Sequence, residues 1–129
     1  IIIPSVVNKE WLRPSDYKTP NWIKVHHVSS DFQVIIKRLS TEIDEGEAEA
    51  ITLCKEMNIR LLVIDDLKGR KRAKTMGLKV IGTGGVLVEA KRRGLILHLK
   101  PILDELIKAR YRIDDRLYRF MLSKVEESS

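Results

Sequence analysis

The sequence predicts an α/β protein with a mostly parallel central sheet, in a three-layer α/β/α arrangement. Short apolar runs of strand length alternate along the chain with helical patterns, which is typical of strands joined by helical crossovers. The run at 59–64, "IRLLVI", is almost continuously apolar, as in a strand that is buried on both faces. The chain has 129 residues, of which 43% are hydrophobic, so we expect one domain over 1–129.

The first third of the chain predicts two strands and two helices. The opening "III" is β-branched and strand-like, and Pro4-Ser5 is a typical start for a short helix over 6–12. The stretch 22–28, "WIKVHHV", alternates apolar and polar residues as a half-buried strand does. A Ser-Asp pair then precedes apolar residues at helical spacing, which predicts a helix over 30–43.

The rest of the chain continues the alternation and ends in helices. The predicted elements are a helix over 44–57, the strand 59–64, a basic helix over 68–77 that Gly77 ends, a strand and Gly-rich turn over 78–85, a helix over 86–94, and amphipathic helices over 101–109 and 113–122. We treat 96–124 as a C-terminal helical extension of the domain. Its apolar stripes are expected to complete the domain's own core, with a homodimer interface as the alternative.

Charge and cysteine content narrow the functional classes. The chain carries 24 Lys and Arg against 18 Asp and Glu, for a formal net charge of +6, which attracts polyanions such as nucleic acid. Cys54 is the only cysteine, so neither a disulfide framework nor a thiolate zinc site is available. No apolar run approaches the roughly 18 residues of a membrane span. We therefore expect a cytoplasmic protein with no membrane partner.

Acidic residues are predicted to meet at one edge of the sheet. Asp65 and Asp66 follow the strand 59–64, and Glu47 heads the preceding helix, which runs antiparallel to that strand. Glu10 reaches the same edge from the first turns of the helix that follows "III". Carboxylates in one pocket repel each other unless a cation lies between them, and oxygen-only ligation suits Mg²⁺ or Mn²⁺. Such ions activate water and stabilise charge on phosphoryl groups.

A basic helix directly follows these acids. Its Lys68, Arg70, Lys71 and Arg72 are candidates for contacts with a nucleic-acid backbone. Structural alternatives stay open at this point. The helix dipole alone favours acids at helix N-termini, Asp66 is also a candidate helix cap, and the Lys/Arg run also fits a solvated helix face. Asp65 is accordingly the better ligand candidate of the aspartate pair.

Five segments in order resemble the PIN-domain family, a metal-dependent ribonuclease fold that includes the VapC-type toxins. The segments are "IIIPSVVNKEW", "EIDEGEAEAI", "LLVIDD" with "KGR" after it, "GLKVIGTGGVLVEAKRRGLI" and "KPILDELI". They cover nearly the whole chain and are similar to a largely archaeal branch of PIN-like proteins. The resemblance implies a quartet of acids that binds one or two Mg²⁺ or Mn²⁺ ions for hydrolysis of RNA phosphodiester bonds.

The resemblance also implies which residues of this chain form the acidic quartet. The second acid of the quartet matches Glu10, the third matches Glu47 with Glu49 as a neighbouring alternative, and the fourth matches Asp65, 18 positions after Glu47. Thr83 resembles the hydroxyl residue often found near this pocket. The first family aspartate ends a central N-terminal strand, which in this numbering would precede Ile1, and we expect that strand and its aspartate to lie outside the given chain.

Three functions follow as hypotheses. The first is a metal-dependent endoribonuclease of PIN type, with the toxin of a toxin–antitoxin pair as one form of it. The second is a catalytically inactive PIN-like module that binds RNA or an antitoxin-like protein. The third is a scaffold that assembles with copies of itself through the helices 101–109 and 113–122.

Overall fold

The structure is a computed structural model that describes residues 1–11 and 13–128. Within those residues it has seven α-helices, one 3₁₀ helix and four short strands. Helices and short parallel strands alternate, which confirms the predicted mixed α/β class. The chain divides into two compact units, Ile1–Val80 and Ile81–Ser129, and each is described by itself below.

The elements follow the predicted order. They are β1 (Ile2–Pro4), α1 (Ser5–Glu10), β2 (Lys24–His26), a 3₁₀ helix (Ser30–Phe32), α2 (Gln33–Leu39), α3 (Glu45–Met57), β3 (Leu61–Val63), α4 (Leu67–Thr75), β4 (Lys79–Ile81), α5 (Thr83–Arg92), α6 (Lys100–Lys108) and α7 (Asp115–Lys124). Leu12, the last residue of the short helix predicted over 6–12, lies outside the described residues. The predicted helix over 30–43 is shorter, because it begins as a 3₁₀ turn and α2 ends at Leu39.

The strands of the first unit form two sheets instead of one central sheet. β1 pairs with β2 in parallel, with Ile3 opposite Val25, and β3 pairs separately with β4. The helix α3 contacts both β1 and β3. It therefore links the two pairs of strands into one compact unit.

The core of the first unit is built around α3. Its Ala48 and Ile51 are fully buried, and they belong to an apolar cluster that includes side chains from α2, β3 and α4. The helix ends at Asn58, whose left-handed backbone (φ +56°) stops the helical pattern. The fixed axis of α3 sets the position of the acidic residues at its first turn.

Two predictions about strand burial are wrong. In β3 only Leu62 is buried, while Leu61 and Val63 are 57% and 56% exposed, because the described elements cover one face of this strand. The strand β2 was predicted to be half-buried, yet all three of its residues are exposed. Within residues 1–11 and 13–128, it lies at an edge of its sheet and pairs with β1 alone.

The second unit contains α5, α6 and α7. Their apolar stripes pack on each other around Leu99, Leu103, Met121 and Leu122, as the amphipathic pattern predicts. The Glu127 carboxylate accepts hydrogen bonds from the backbone N–H groups of Leu99 (2.7 Å) and of the next residue, and so caps α6. Among the described residues, no helix is both long and apolar enough to cross a membrane.

Candidate active site

A cleft of about 440 Å³ lies in the first unit, where β1 and β3 end. It is formed by α1, by the first turns of α3 and by the segment that follows β3. The lining residues are Val7, Glu10, Asp44, Glu45, Gly46, Glu47, Ala50, Val63, Ile64, Asp65 and Asp66. Six of these residues are acidic, so the structure brings the predicted residues Glu10, Glu47, Asp65 and Asp66 to one place.

Glu10 is the last residue of α1, a helix of only six residues, so it lies both in the first turns, as predicted, and at the C-terminal end. The helix ends there because Trp11 adopts an extended backbone conformation. A carboxylate at the C-terminal end of a helix is disfavoured by the helix dipole. The position of Glu10 therefore has no explanation in helix stabilisation, unlike that of the acids at the start of α3.

Glu47 is a cleft acid whose surroundings disfavour the charged form of its carboxylate. Its pKa is raised, first by partial burial and then by the negative charges of Asp66, Asp44 and Glu10. The backbone N–H of Asp44 acts in the opposite direction, because it donates to the Glu47 carboxylate. This reach back to the residue before the helix is half of a capping box. Glu47 thus helps to begin α3 and also concentrates negative charge in the cleft.

Two glycines leave room for the carboxylates. A Cβ atom on Gly46 would lie 3.1 Å from Oε2 of Glu10. A Cβ atom on Gly69, in α4, would lie 3.0 Å from Oε2 of Glu47 and 2.7 Å from Cδ1 of Ile64. Both carboxylates therefore pack closely against helix backbone, and a Cβ at either glycine would require the carboxylate to shift by a few tenths of an ångström.

The aspartate pair after β3 divides into two roles. Oδ2 of Asp66 accepts a hydrogen bond from the backbone N–H of Gly69 at 3.0 Å and caps α4, which confirms the prediction that Asp66 is a helix cap. Asp65 is exposed and lines the same cleft. Asp65 stays the better ligand candidate of the two, and the charge of Asp66 acts on Glu47.

The structure does not bring Glu49 to the cleft lining. Glu49 is only 6% exposed, and its Oε1 accepts hydrogen bonds from the Ser5 hydroxyl at 2.8 Å and from the Val6 N–H at 3.2 Å. This carboxylate caps the first turn of α1 from within α3. The geometry gives no support to Glu49 as a metal ligand and makes it a residue that positions α1, the helix on which Glu10 lies.

The donor set of the cleft suits a hard divalent cation. Its groups are carboxylate oxygens, and the pKa of Glu47 is raised first by burial and then by neighbouring carboxylates, whose charge an added cation would offset. Within residues 1–11 and 13–128, however, no three acidic, histidine or cysteine side chains lie close enough together to hold a metal ion. Mg²⁺ is usually held by one or two carboxylates and keeps several waters, so the oxygen chemistry of the cleft suits a hydrated ion, although no three-ligand cluster is preformed there among the described residues.

The predicted basic run divides over different sides of α4. Lys68 and Lys71 are exposed and line a shallow groove with Arg72 and Glu42. Nε of Arg72 lies 3.5 Å from Oε2 of Glu42, so this guanidinium is held within the fold. Arg70 is partly buried and lies about 100° around the helix from Gly69. The two exposed lysines are the cations of this run most available to a ligand.

One predicted residue lies in the second unit, and several residues in or next to the cleft were not predicted. Thr83 is the first residue of α5, in the second unit, and its role stays a prediction. Sequence reasoning did not single out Asp44, Glu45, Gly46 or Gly69. The run "DEGEAE" at 44–49 held the signal for the first three, because an aspartate directly before a helix commonly lies at its first turn.

Comparisons with known proteins and protein families show which family the chain belongs to. No curated protein and no solved structure matches this chain. A family model described as a PIN domain matches residues 1–127, nearly the whole chain. The match agrees with the mixed α/β fold. The chain therefore belongs to the PIN-domain family.

Proposed function

We propose that this protein is an endoribonuclease of PIN type, which hydrolyses RNA phosphodiester bonds with Mg²⁺ or Mn²⁺. The observation that supports it is the meeting of Glu10, Glu47 and Asp65 in one acid-lined cleft of a PIN-domain chain. A bound divalent ion would supply an activated water and offset the charge that develops on phosphorus. The chain's own acidic side chains would hold the ion, and its basic side chains would hold the RNA backbone.

Each acid has a role that follows from its position. Asp65 and Glu10 are exposed at the rim, where they are accessible to a hydrated ion and to a phosphate. Glu47 is partly desolvated and surrounded by other carboxylates, and its raised pKa makes it the group most stabilised by added positive charge. Asp66 and Glu49 fix the starts of α4 and α1 and so orient these acids.

The substrate backbone would be held by cations next to the cleft. Lys68 and Lys71 are exposed on α4, the helix that begins directly after Asp65 and Asp66. Lysine ammonium groups bind phosphates as point charges, without base recognition. In this proposal Arg70 adds to the same field, while Arg72 acts mainly in the ion pair with Glu42.

We extend the proposal to a further strand between β1 and β3, which would carry a fourth acid. Support comes from the two separate sheets, each of which ends in a strand that contacts α3. The exposed apolar side chains of Leu61 and Val63 lie on one of these strands, where an inserted strand and its connections would cover them. A parallel strand at this place would end at the cleft.

The experiment is a cleavage assay on a panel of RNAs with Mn²⁺, Mg²⁺ or EDTA. Asp65→Asn and Glu47→Gln remove charge from the cleft and are expected to abolish metal-dependent cleavage. Asp16→Asn removes an exposed acid outside the cleft lining and serves as the matched control. Cleavage by Asp65→Asn and Glu47→Gln at the parental rate would remove both residues from the mechanism.

A second candidate function is a PIN-like module that binds RNA or protein without catalysis. The absence of a three-ligand cluster among the described residues favours it. Calorimetric titration with Mn²⁺ separates the two proposals, since a vestigial cleft would bind no ion. A role as the toxin of a toxin–antitoxin pair, with an antitoxin-like partner, is a form of the nuclease proposal and would appear as growth arrest that a co-expressed partner relieves.

A further inference from the structure

The helix α7 has a basic and aromatic face that the core of the second unit does not use. Its buried face packs on the apolar cluster through Tyr118, Met121 and Leu122. Arg116, Phe120 and Lys124 follow each other at intervals of four residues, on the opposite side of the helix. We refer to Arg112, Arg116, Arg119, Phe120 and Lys124 as the α7 face. All five are exposed.

Phe120 is the centre of this face. Its side chain is 55% exposed, although it belongs to a unit that buries the neighbouring Met121 and Leu122 almost completely. The ammonium of Lys124 lies 5.0 Å from the ring centroid. An exposed phenylalanine next to cations has the composition of a surface on which nucleic-acid bases stack.

The arginines of this face are not engaged in the ion pairs of the second unit. There, Lys91, Arg93, Lys100 and Lys108 pair with Glu127, Glu89, Asp104 and Glu105, respectively. In the part of the chain that the structure describes, no salt bridge involves Arg112, Arg116 or Arg119. Two aspartates lie near them. Asp114 caps α7 by accepting from the Leu117 N–H, and Asp115 is exposed.

We propose that the α7 face binds single-stranded RNA, with a base stacked on Phe120 and phosphates held by Arg112, Arg116 and Arg119. The face combines the two groups that this ligand needs: a flat apolar ring, and exposed cations on α7 and in the segment just before it, where Arg112 lies. The proposal rests on RNA as the substrate class of the proposed nuclease, and it adds a binding surface outside the acidic cleft.

The test measures RNA binding separately from cleavage. Fluorescence anisotropy of a labelled single-stranded RNA is recorded in EDTA over a series of salt concentrations, with the full chain. Phe120→Leu is expected to weaken binding about tenfold without changing the salt dependence, because base stacking is lost and charge is not. Arg116→Gln is expected to lower the slope of log K against log salt by about 0.7.

Two variants of the same unit serve as controls. Leu97→Ala changes a side chain that is 80% exposed and lies outside the α7 face. Arg93→Gln removes a guanidinium that is paired with Glu89 at 3.0 Å. Both are expected to bind RNA with the parental affinity and salt slope. Circular dichroism of every variant checks that the helices remain.

The outcomes distinguish this proposal from the nuclease proposal. Parental binding by Phe120→Leu and Arg116→Gln, or no RNA binding by the parent protein, would overturn the assignment of the α7 face even if the protein cleaves RNA. Binding that depends on both residues would support the assignment even if no RNA is cleaved. Self-association that Phe120→Leu abolishes, with RNA affinity unchanged, would assign the face to a second copy of the chain instead.

Discussion

Gly69→Ala tests whether the position of Glu47 matters for function. The added Cβ would lie 2.7 Å from Cδ1 of Ile64 and 3.0 Å from Oε2 of Glu47. Carbon atoms in optimal contact are about 3.5–4.0 Å apart, so Ile64 would have to move by roughly 1 Å. Ile64 is 7% exposed and part of the core, and the nearby carboxylate is the easier group to displace. We expect both to shift.

The expected change in the free energy of unfolding of Gly69→Ala is a balance of two effects. Overpacking of a core typically costs about 1–3 kcal/mol, while alanine is favoured over glycine in a helix by up to about 1 kcal/mol. The net destabilisation is therefore about 1 kcal/mol, which corresponds to a fall of roughly 4 °C in Tm for a chain of this size. The Glu47 carboxylate, at 3.0 Å, has to give by only a few tenths of an ångström, so we expect a loss of rate smaller than the roughly 100-fold that a shift of about 1 Å in a catalytic group can cost.

The assay compares Gly69→Ala with Ala73→Gly, a variant one turn further along α4. Ala73 is completely buried, and its replacement costs about 1 kcal/mol through helix propensity without adding an atom near Glu47. We expect the two variants to melt at similar temperatures and only Gly69→Ala to lose metal-dependent cleavage and Mn²⁺ affinity. Equal cleavage rates in the two variants would refute the argument that the close packing of Gly69 on Glu47 positions a functional carboxylate.

Three further predictions concern stability. Without metal, Glu47→Gln should abolish the loss of stability that the parent shows as the pH rises from below 4.5 through the raised pKa of Glu47, as thermal melts over a pH series would show. Glu49→Ala should lower the free energy of unfolding by about 1–3 kcal/mol in urea titrations, because the Ser5 hydroxyl and the Val6 N–H lose their acceptor. The hydrogen bond from the Tyr118 hydroxyl (2.6 Å) is the main reason that the pKa of Asp104 is lowered. The parent therefore loses stability as the pH falls below 3.8, and Tyr118→Phe should reduce that loss, which thermal melts at acid pH would measure.

The local pattern predicted the elements well and their burial poorly. Helical spacing and turn residues are local properties, so the order of helices and strands could be read directly. Burial of a strand also depends on which neighbours cover it. The apolar run at 59–64 indicates a strand suited to burial on both faces, yet Leu61 and Val63 are exposed because the described elements provide one neighbouring strand and one covered face.

The candidate site was predictable where topology alone decides it. The sequence placed Glu47 and Asp65 at the same sheet edge, because a helix antiparallel to the following strand must begin where that strand ends. Helix geometry also separates Glu47 from Glu49. Residues two apart on a helix point about 200° away from each other, so the two side chains cannot face the same cleft. The roles of Gly46 and Gly69 could not be predicted, because they depend on close contacts between elements far apart in sequence.

The charge of Glu47 opposes the stability of the fold, and this separates a functional role of Glu47 from a structural one. Glutamine at position 47 would still accept from the Asp44 N–H, so a purely capping role predicts that Glu47→Gln leaves stability and metal response unchanged. A cation site predicts two opposite effects. The variant should be more stable than the parent at neutral pH without metal, because burial and three neighbouring carboxylates no longer act on a charge there. It should also lose the rise in Tm that Mn²⁺ gives the parent, since an ion stabilises a fold only as far as it binds the folded state.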